Sequence, residues 1–137
     1  MDSVGIGGAP DAEKYFNDGI PDTGANTVLH IATACAKGEA NIGRSGLLKV
    51  PNLVRLGLGK AVSLASQRSA PGLQGSVKGQ WGVATETSKG KDTPSGHWEL
   101  AGFPVYQDWQ IFPNKTNSFP RDLIECVCKI AGVKDIL

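Results

Sequence analysis

Histidine is scarce in this sequence: His30 and His97 are the only two, and the thiols are limited to Cys35, Cys126 and Cys128. Two imidazoles and three scattered thiols argue against a zinc site of the usual Cys/His kind. Cys126 and Cys128 stand two apart, which points them to different sides of a helix and makes no CxxC motif. The odd count also argues against a disulfide-stapled secreted fold, so all three read as plain buried or half-buried thiols. An excess of charge of either sign is missing too. Fourteen basic residues stand against 13 acidic ones, for a formal net charge of +1. That balance removes the electrostatic argument for nucleic acid, which needs a basic face, and for a membrane surface. No apolar run approaches the about 20 residues of a membrane span. No charged-then-apolar leader is seen, so the expected compartment is the cytoplasm.

What is present fits one ordinary domain. The chain has 137 residues, of which 40% are hydrophobic, enough for a packed core. It carries 18 glycines and 8 prolines, so much of the backbone must turn or approach something closely. No internal repeat is visible.

Along the chain, MDSVGIGGAPDAEKYF opens directly into a glycine-rich loop, of the kind that usually follows a strand in α/β proteins. ANTVLHIATACAKGEA predicts a helix capped by Asn26 or Thr27, with Val28, Ile31, Ala32 and Cys35 on one stripe and Gly38 as its stop. VPNLVRLGLGKA predicts a second, shorter helix, with Pro51 in its first turn and Gly57 or Gly59 at its end. Residues 60–75, rich in Ser, Ala and Gly, read as a loop. SVKGQWGVATE alternates as a strand does, with Val77, Gly79, Trp81 and Val83 on one side. AGFPVYQDWQIF, interrupted by Pro104, reads as an edge strand or an extended connection. SFPRDLIECVCKIAG predicts a third helix, with Ser118 as cap, Pro120 in the first turn, a buried stripe of Leu123, Ile124, Val127 and Ile130, and Gly132 as stop.

The stretch GKDTPSGHWE carries the most chemistry. Thr93 stands where a capping residue would stand, with Pro94, already suited to a helix start, behind it. One reading is therefore a structural cap. A second uses the same geometry: a helix start favours bound phosphate, and a hydroxyl held there can accept a phosphoryl group if a base or a metal ion activates it. On that reading Lys91 helps to neutralise the phosphate, and Gly90 and Gly96 leave room for the substituent. A proline-directed kinase site at Thr93-Pro94 is a third. Asp2 has two readings as well: a solvated or turn-capping carboxylate, or a ligand for a hard divalent cation beside a glycine-rich turn. GIGG shares part of a dinucleotide fingerprint but lacks its spacing and leading strand.

Five segments occur in one order: MDSVGIGGAPDAEKY, DTGANTVLHIATACAKGEA, PNLVRLGLGKA, SKGKDTPSGHWELAGFPV and SFPRDLIE. This series resembles the amino-terminal part of the phosphopentomutase family, in the alkaline phosphatase superfamily. GKDTPSGHWE is the most specific part, DSVGIGGAPDA nearly as specific, and residues 60–80 match least. The resemblance implies an α/β fold: a partial alkaline-phosphatase-like core, a parallel sheet with flanking helices, plus the start of a cap domain. Residues 1–101 would form the amino-terminal part of the metal-binding core and 102–137 the beginning of the cap. It also implies an isomerase of nucleoside catabolism that interconverts ribose or deoxyribose 1-phosphate with the 5-phosphate. Such an enzyme uses two manganese ions (Mn2+) and a phosphothreonine, with a sugar bisphosphate as activator. Thr93 matches the phosphoryl-carrying threonine, and Asp2 the first metal-ligand aspartate; Asp2 and Thr93 are the metal-binding residues the match assigns.

Family members are much longer, and their remaining Asp and His ligands lie in a carboxyl-terminal region outside this sequence. The chain is therefore expected to be a fragment that is poorly stable alone, self-associates, or works with a missing carboxyl-terminal half. By itself it is expected not to complete mutase turnover. The alternatives are a non-catalytic fragment with a binding or regulatory role, or another phosphomutase of the superfamily. Cofactor-independent phosphoglycerate mutase, which carries phosphate on serine, is disfavoured by the Thr93 segment.

Overall fold

A single asparagine organises the first helix. Asn26 accepts a hydrogen bond from the Leu29 N–H through its side-chain oxygen (2.9 Å) and donates its amide to the Ile6 carbonyl (2.7 Å). One buried side chain thus caps helix α1, Thr27–Lys37, and seats the glycine-rich segment before it. The Val28 N–H donates to the Gly5 carbonyl, a second tie to the same segment. At the other end Gly38 takes a left-handed conformation (φ 79°), and its N–H meets the Ala34 and Cys35 carbonyls. Replacing Asn26 by alanine is expected to lower stability by about 1–2 kcal/mol, read by urea titration, because cap and tether go together. An unchanged midpoint would contradict this role.

The computed structural model describes residues 4–90, 92–113 and 115–134. It contains five α-helices and one small sheet among these residues. After a 3₁₀ turn at Ala12–Lys14, strands β1 (Phe16–Asn17) and β2 (Ile20–Pro21) pair antiparallel, with Phe16 opposite Pro21 and Asn17 opposite Ile20. Their two-residue connection places Asp18 and Gly19 at φ 49° and 79°, the positive pair that suits a tight hairpin. Asp-Gly is a dipeptide that such a turn favours, and the hairpin was not among the elements expected from the sequence.

Helix α2, Pro51–Leu56, ends at Gly57, as its sequence pattern predicts. The next residues depart from expectation. Leu58–Ser66 form helix α3 rather than the opening of a loop. Its alanines and leucines are strong helix formers, and Ala61 and Val62 are buried. Only 67–75 are irregular. The first core collects Val28, Leu29, Ala32, Val62, Ala70 and Leu73, with Ile6, Leu48, Val50, Val54 and Leu58 packed against it. On α1, Leu29 takes the buried place expected of Ile31, which is 48% exposed.

The parallel sheet is not formed among the described residues; the two-stranded antiparallel hairpin is the sheet they contain. The alternating stretch 76–86 is irregular, and Trp81 and Val83 are exposed. An extended segment needs a neighbour to take up its backbone groups, and alternation alone does not provide one. Its clearest ties are two N–H groups, of Lys78 and Gly79, that donate to the Arg55 carbonyl.

The chain divides into two compact units at Thr87/Ser88. The second unit holds helices α4 (Thr93–Leu100) and α5 (Arg121–Ala131). Pro120 rather than Ser118 is the cap of α5, and the Ser118 hydroxyl donates to the Lys115 carbonyl (2.6 Å). Gly132 ends the helix in the left-handed region as expected (φ 69°). The expected buried stripe lies mostly outside: Leu123, Val127 and Ile130 are exposed, Ile124 is half-buried, and Cys128 is the buried residue of the helix. Cys35 is buried as well, and Cys126 is exposed.

Candidate functional site

Helix α4 starts on an aspartate, not on the threonine after it. Asp92 has extended backbone (φ −152°, ψ 156°), and its Oδ1 accepts from the Ser95 N–H at 2.8 Å, which makes Asp92 the cap. Thr93 is the first helical residue and is exposed. Aspartate is the better cap of the two, and Pro94 is tolerated one position deeper in the first turn, so the register moves back by one residue. The structural-cap reading of Thr93 is thereby replaced, and its hydroxyl is not used to cap the helix.

The start of α4 is fixed by a short polar chain. The indole N–H of Trp109 donates to the Ser95 hydroxyl (2.6 Å), which donates to Asp92 Oδ2 (2.8 Å). Ser95 is fully buried. Gly90 closes the arrangement: a Cβ there would fall 2.3 Å from Asp92 Oδ2 and 2.8 Å from Trp109 Cδ1. The space at Gly90 is therefore filled by the protein itself, not left open for a substituent. The far end of α4 is tied down by Glu99, whose carboxylate accepts from the Ser88 N–H (2.8 Å) and hydroxyl (2.5 Å). The Ser88 hydroxyl accepts in turn from the Val105 N–H (2.9 Å), and the Lys89 N–H donates to the Val105 carbonyl. Residues 103–112 are thus an extended connection, not an edge strand. His97 Nδ1 donates to the Thr93 carbonyl at 2.8 Å, which sets its tautomer.

Sequence reasoning missed Asp92, Ser95, Trp109 and the Ser88–Glu99 pair. The Asp92-to-Ser95 spacing was available as a capping signal; Trp109, 14 residues further on, had no local signal. Ser95→Ala is expected to destabilise the second unit by about 1–3 kcal/mol, because it strips the partner from a partly buried indole N–H and from Asp92. Thermal unfolding followed by tryptophan fluorescence reads this, and an unshifted transition would count against the network.

The electrostatics of this helix start are mixed for an anion. Pro94 supplies no N–H and the Ser95 N–H is taken by Asp92, so two of the first-turn donors are unavailable. The Asp92 carboxylate also sits where the helix dipole would otherwise favour phosphate. A phosphoryl group on Thr93 would therefore need a cation beside it. Asp2 and Lys91 lie outside the described residues. Among the described residues, no group of three or more His, Cys, Asp or Glu side chains is placed to hold a metal ion. Both Asp92 oxygens are engaged by Ser95. The described residues thus do not fit a two-metal site by themselves.

No protein-family model matches the chain. Its whole length aligns with phosphopentomutase of Yersinia pestis bv. Antiqua (strain Angola), 50% identical over 139 positions. The same identity holds for phosphopentomutase of Yersinia pseudotuberculosis serotype O:1b (strain IP 31758). Along all of its length, this chain is related to phosphopentomutase. The chain spans about a third of the length of these relatives. The match extends over the whole chain, so the α4 segment lies within it. The aspartate cap and the Trp109–Ser95–Asp92 chain are the supports it stands on.

Proposed function

We propose that this chain is the phosphoryl-acceptor segment of a phosphopentomutase, with Thr93 Oγ1 as the group that carries phosphate. The reading is carried by one observation: in a chain 50% identical to phosphopentomutase throughout, the Thr93 side chain is exposed on the first residue of a helix whose start is locked by its neighbours. A hydroxyl held in that way needs no rearrangement to meet phosphorus in line. Thr93 takes a phosphoryl group from a pentose bisphosphate, losing its hydroxyl proton as the sugar oxygen leaves. It then returns the group to a pentose monophosphate and regains the proton. Asp92, His97 and Trp109 hold the helix; none of them is placed here as the base.

Divalent metal, manganese by the resemblance, would supply charge neutralisation at the phosphate. Asp2 and Thr93 would be its ligands from this chain, the others coming from the rest of the protein. In that complete setting residues 76–86 take up a strand of the parallel sheet, residues 1–101 belong to the metal-binding core, and residues from 102 begin the cap. The substrate is a pentose phosphate, nucleic acid is not a partner, and the compartment is the cytoplasm. No helix among the described residues is long and apolar enough to cross a membrane.

A covalent chimera tests this. The 137-residue chain replaces the matching third of the Yersinia pestis enzyme, and conversion of ribose 1-phosphate to 5-phosphate is assayed with manganese. Turnover is expected from the chimera and none from the 137 residues alone. A folded, metal-loaded chimera with neither turnover nor phosphate on Thr93 would favour a non-catalytic role.

A further inference from the structure

Trp98 of α4 and residues 103–109 line a cleft of about 490 Å³, which lies wholly within the second unit. Four of the lining residues are aromatic: Trp98, Phe103, Tyr106 and Trp109, each between 45% and 66% exposed. Phe103 and Trp109 both stand edge-on to Trp98, with ring centroids 6.1 and 6.3 Å away and interplanar angles of 71° and 66°. The rings therefore point their faces in different directions, as the walls of a cage do, rather than stacking into one flat surface. Local bonds hold these walls. The Phe103 N–H donates to the Trp98 carbonyl (2.9 Å), and the indole N–H of Trp109 is fixed on buried Ser95.

Charge selects the occupant. Asp108 lines the same cleft, and among the described residues no Lys, Arg or His does. An aromatic face carries the negative side of the ring quadrupole, so rings and carboxylate act in the same sense. A phosphate is repelled by both, which sets this cleft apart from the chemistry at Thr93. A neutral apolar ligand would strip water from the Asp108 carboxylate and offer nothing in its place. A cation answers both features. A primary ammonium would bring three N–H donors to walls that hold few acceptors, whereas a quaternary ammonium brings none.

We infer that this cleft binds a small quaternary ammonium compound, with its methyl groups against the aromatic walls and its charge beside Asp108. A cation is attracted over a ring face from within about 6 Å of the centroid, a reach that matches the spacing of Trp98 from its two neighbours. The inference does not rest on Thr93 carrying phosphate, and the two can fail separately.

The experiment titrates choline into the nitrogen-labelled 137-residue chain and follows the indole N–H resonances by NMR. The resonances of Trp98 and Trp109 are expected to move and saturate with a Kd on the order of 1–10 mM, while that of Trp81 in the first unit stays in place. Dimethylbutanol, the uncharged carbon isostere of choline, is expected to bind roughly five- to thirtyfold more weakly. Asp108→Asn, at an exposed position, is expected to weaken choline by about two- to fivefold and to leave dimethylbutanol unchanged. Shifts that never saturate, or that fall on Trp81 equally, overturn the inference. So does dimethylbutanol binding as tightly as choline, displacement of choline by ribose 5-phosphate, or an Asp108→Asn chain that holds choline as the parent does.

Discussion

Replacing Gly59 by alanine is expected to destabilise the first unit by about 2–3 kcal/mol, although alanine is the better helix former. Gly59 lies inside helix α3, where the exchange ordinarily gains up to about 1 kcal/mol. Here a Cβ would fall 2.0 Å from the Leu73 carbonyl oxygen and 3.0 Å from its carbonyl carbon. Those atoms are backbone and cannot swing aside as a side chain would. Leu73 is itself 3% exposed and belongs to the first core, with Val62 of the same helix and Leu29 of α1. To admit one methyl group, α3 must lift away from the segment that closes the core over it. Urea unfolding followed by the fluorescence of Trp81, the unit's tryptophan, measures the loss. A variant as stable as the parent would show that α3 and the Leu73 backbone do not pack this closely.

Thr93→Ala separates the roles first open to this residue. Were Thr93 the helix cap, its loss would cost about 1 kcal/mol. Asp92 is the cap, so the variant is expected to unfold within about 0.5 kcal/mol of the parent, as for an exposed site without special contacts. In the covalent chimera the same change is expected to abolish turnover, a drop of at least about 10³-fold, because the phosphoryl group has no carrier. Phosphate incorporated from a pentose bisphosphate should vanish from the peptide that contains residue 93. Asp92→Ala gives the converse pattern. It removes the cap and the acceptor for the Ser95 hydroxyl, so it is expected to cost about 2 kcal/mol while leaving Oγ1 of Thr93 in place. A Thr93→Ala chimera that keeps full turnover would end the assignment.

These contrasts follow from how far apart the relevant atoms lie in the chain. Where helix ends are set by contacts three or four residues long, the sequence could be read directly. Asn26 and Gly38 bound α1, Pro51 and Gly57 bound α2, and Gly132 ends α5. At α4 two adjacent residues could both cap. The proline rule pointed to Thr93, and the intrinsic strength of the aspartate decided for Asp92. Reading 60–66 as loop has a similar origin: glycine and serine counts outweigh the helix-forming alanines, and the burial of Val62 in one core with Leu29 of α1 and Leu73 settles the matter.

The phosphoryl-acceptor candidate was legible because it rests on a contiguous motif, GKDTPSGHWE, within a chain alike phosphopentomutase from end to end. What surrounds it was not. Trp109 reaches Ser95 across 14 residues, and Gly90 is required by the approach of Asp92 and Trp109 rather than by its own dihedral angles. The alternation of 76–86 and the stripe of Leu123, Val127 and Ile130 state which side of a segment is apolar. They do not state what covers it. Sequence alone therefore determined the limits of α1 and α2, the end of α5 and the motif, because those depend on neighbours within a turn. Tertiary structure decided the cap partner chain, the core membership and which apolar faces stay bare, because burial and strand pairing join residues that the chain order keeps apart.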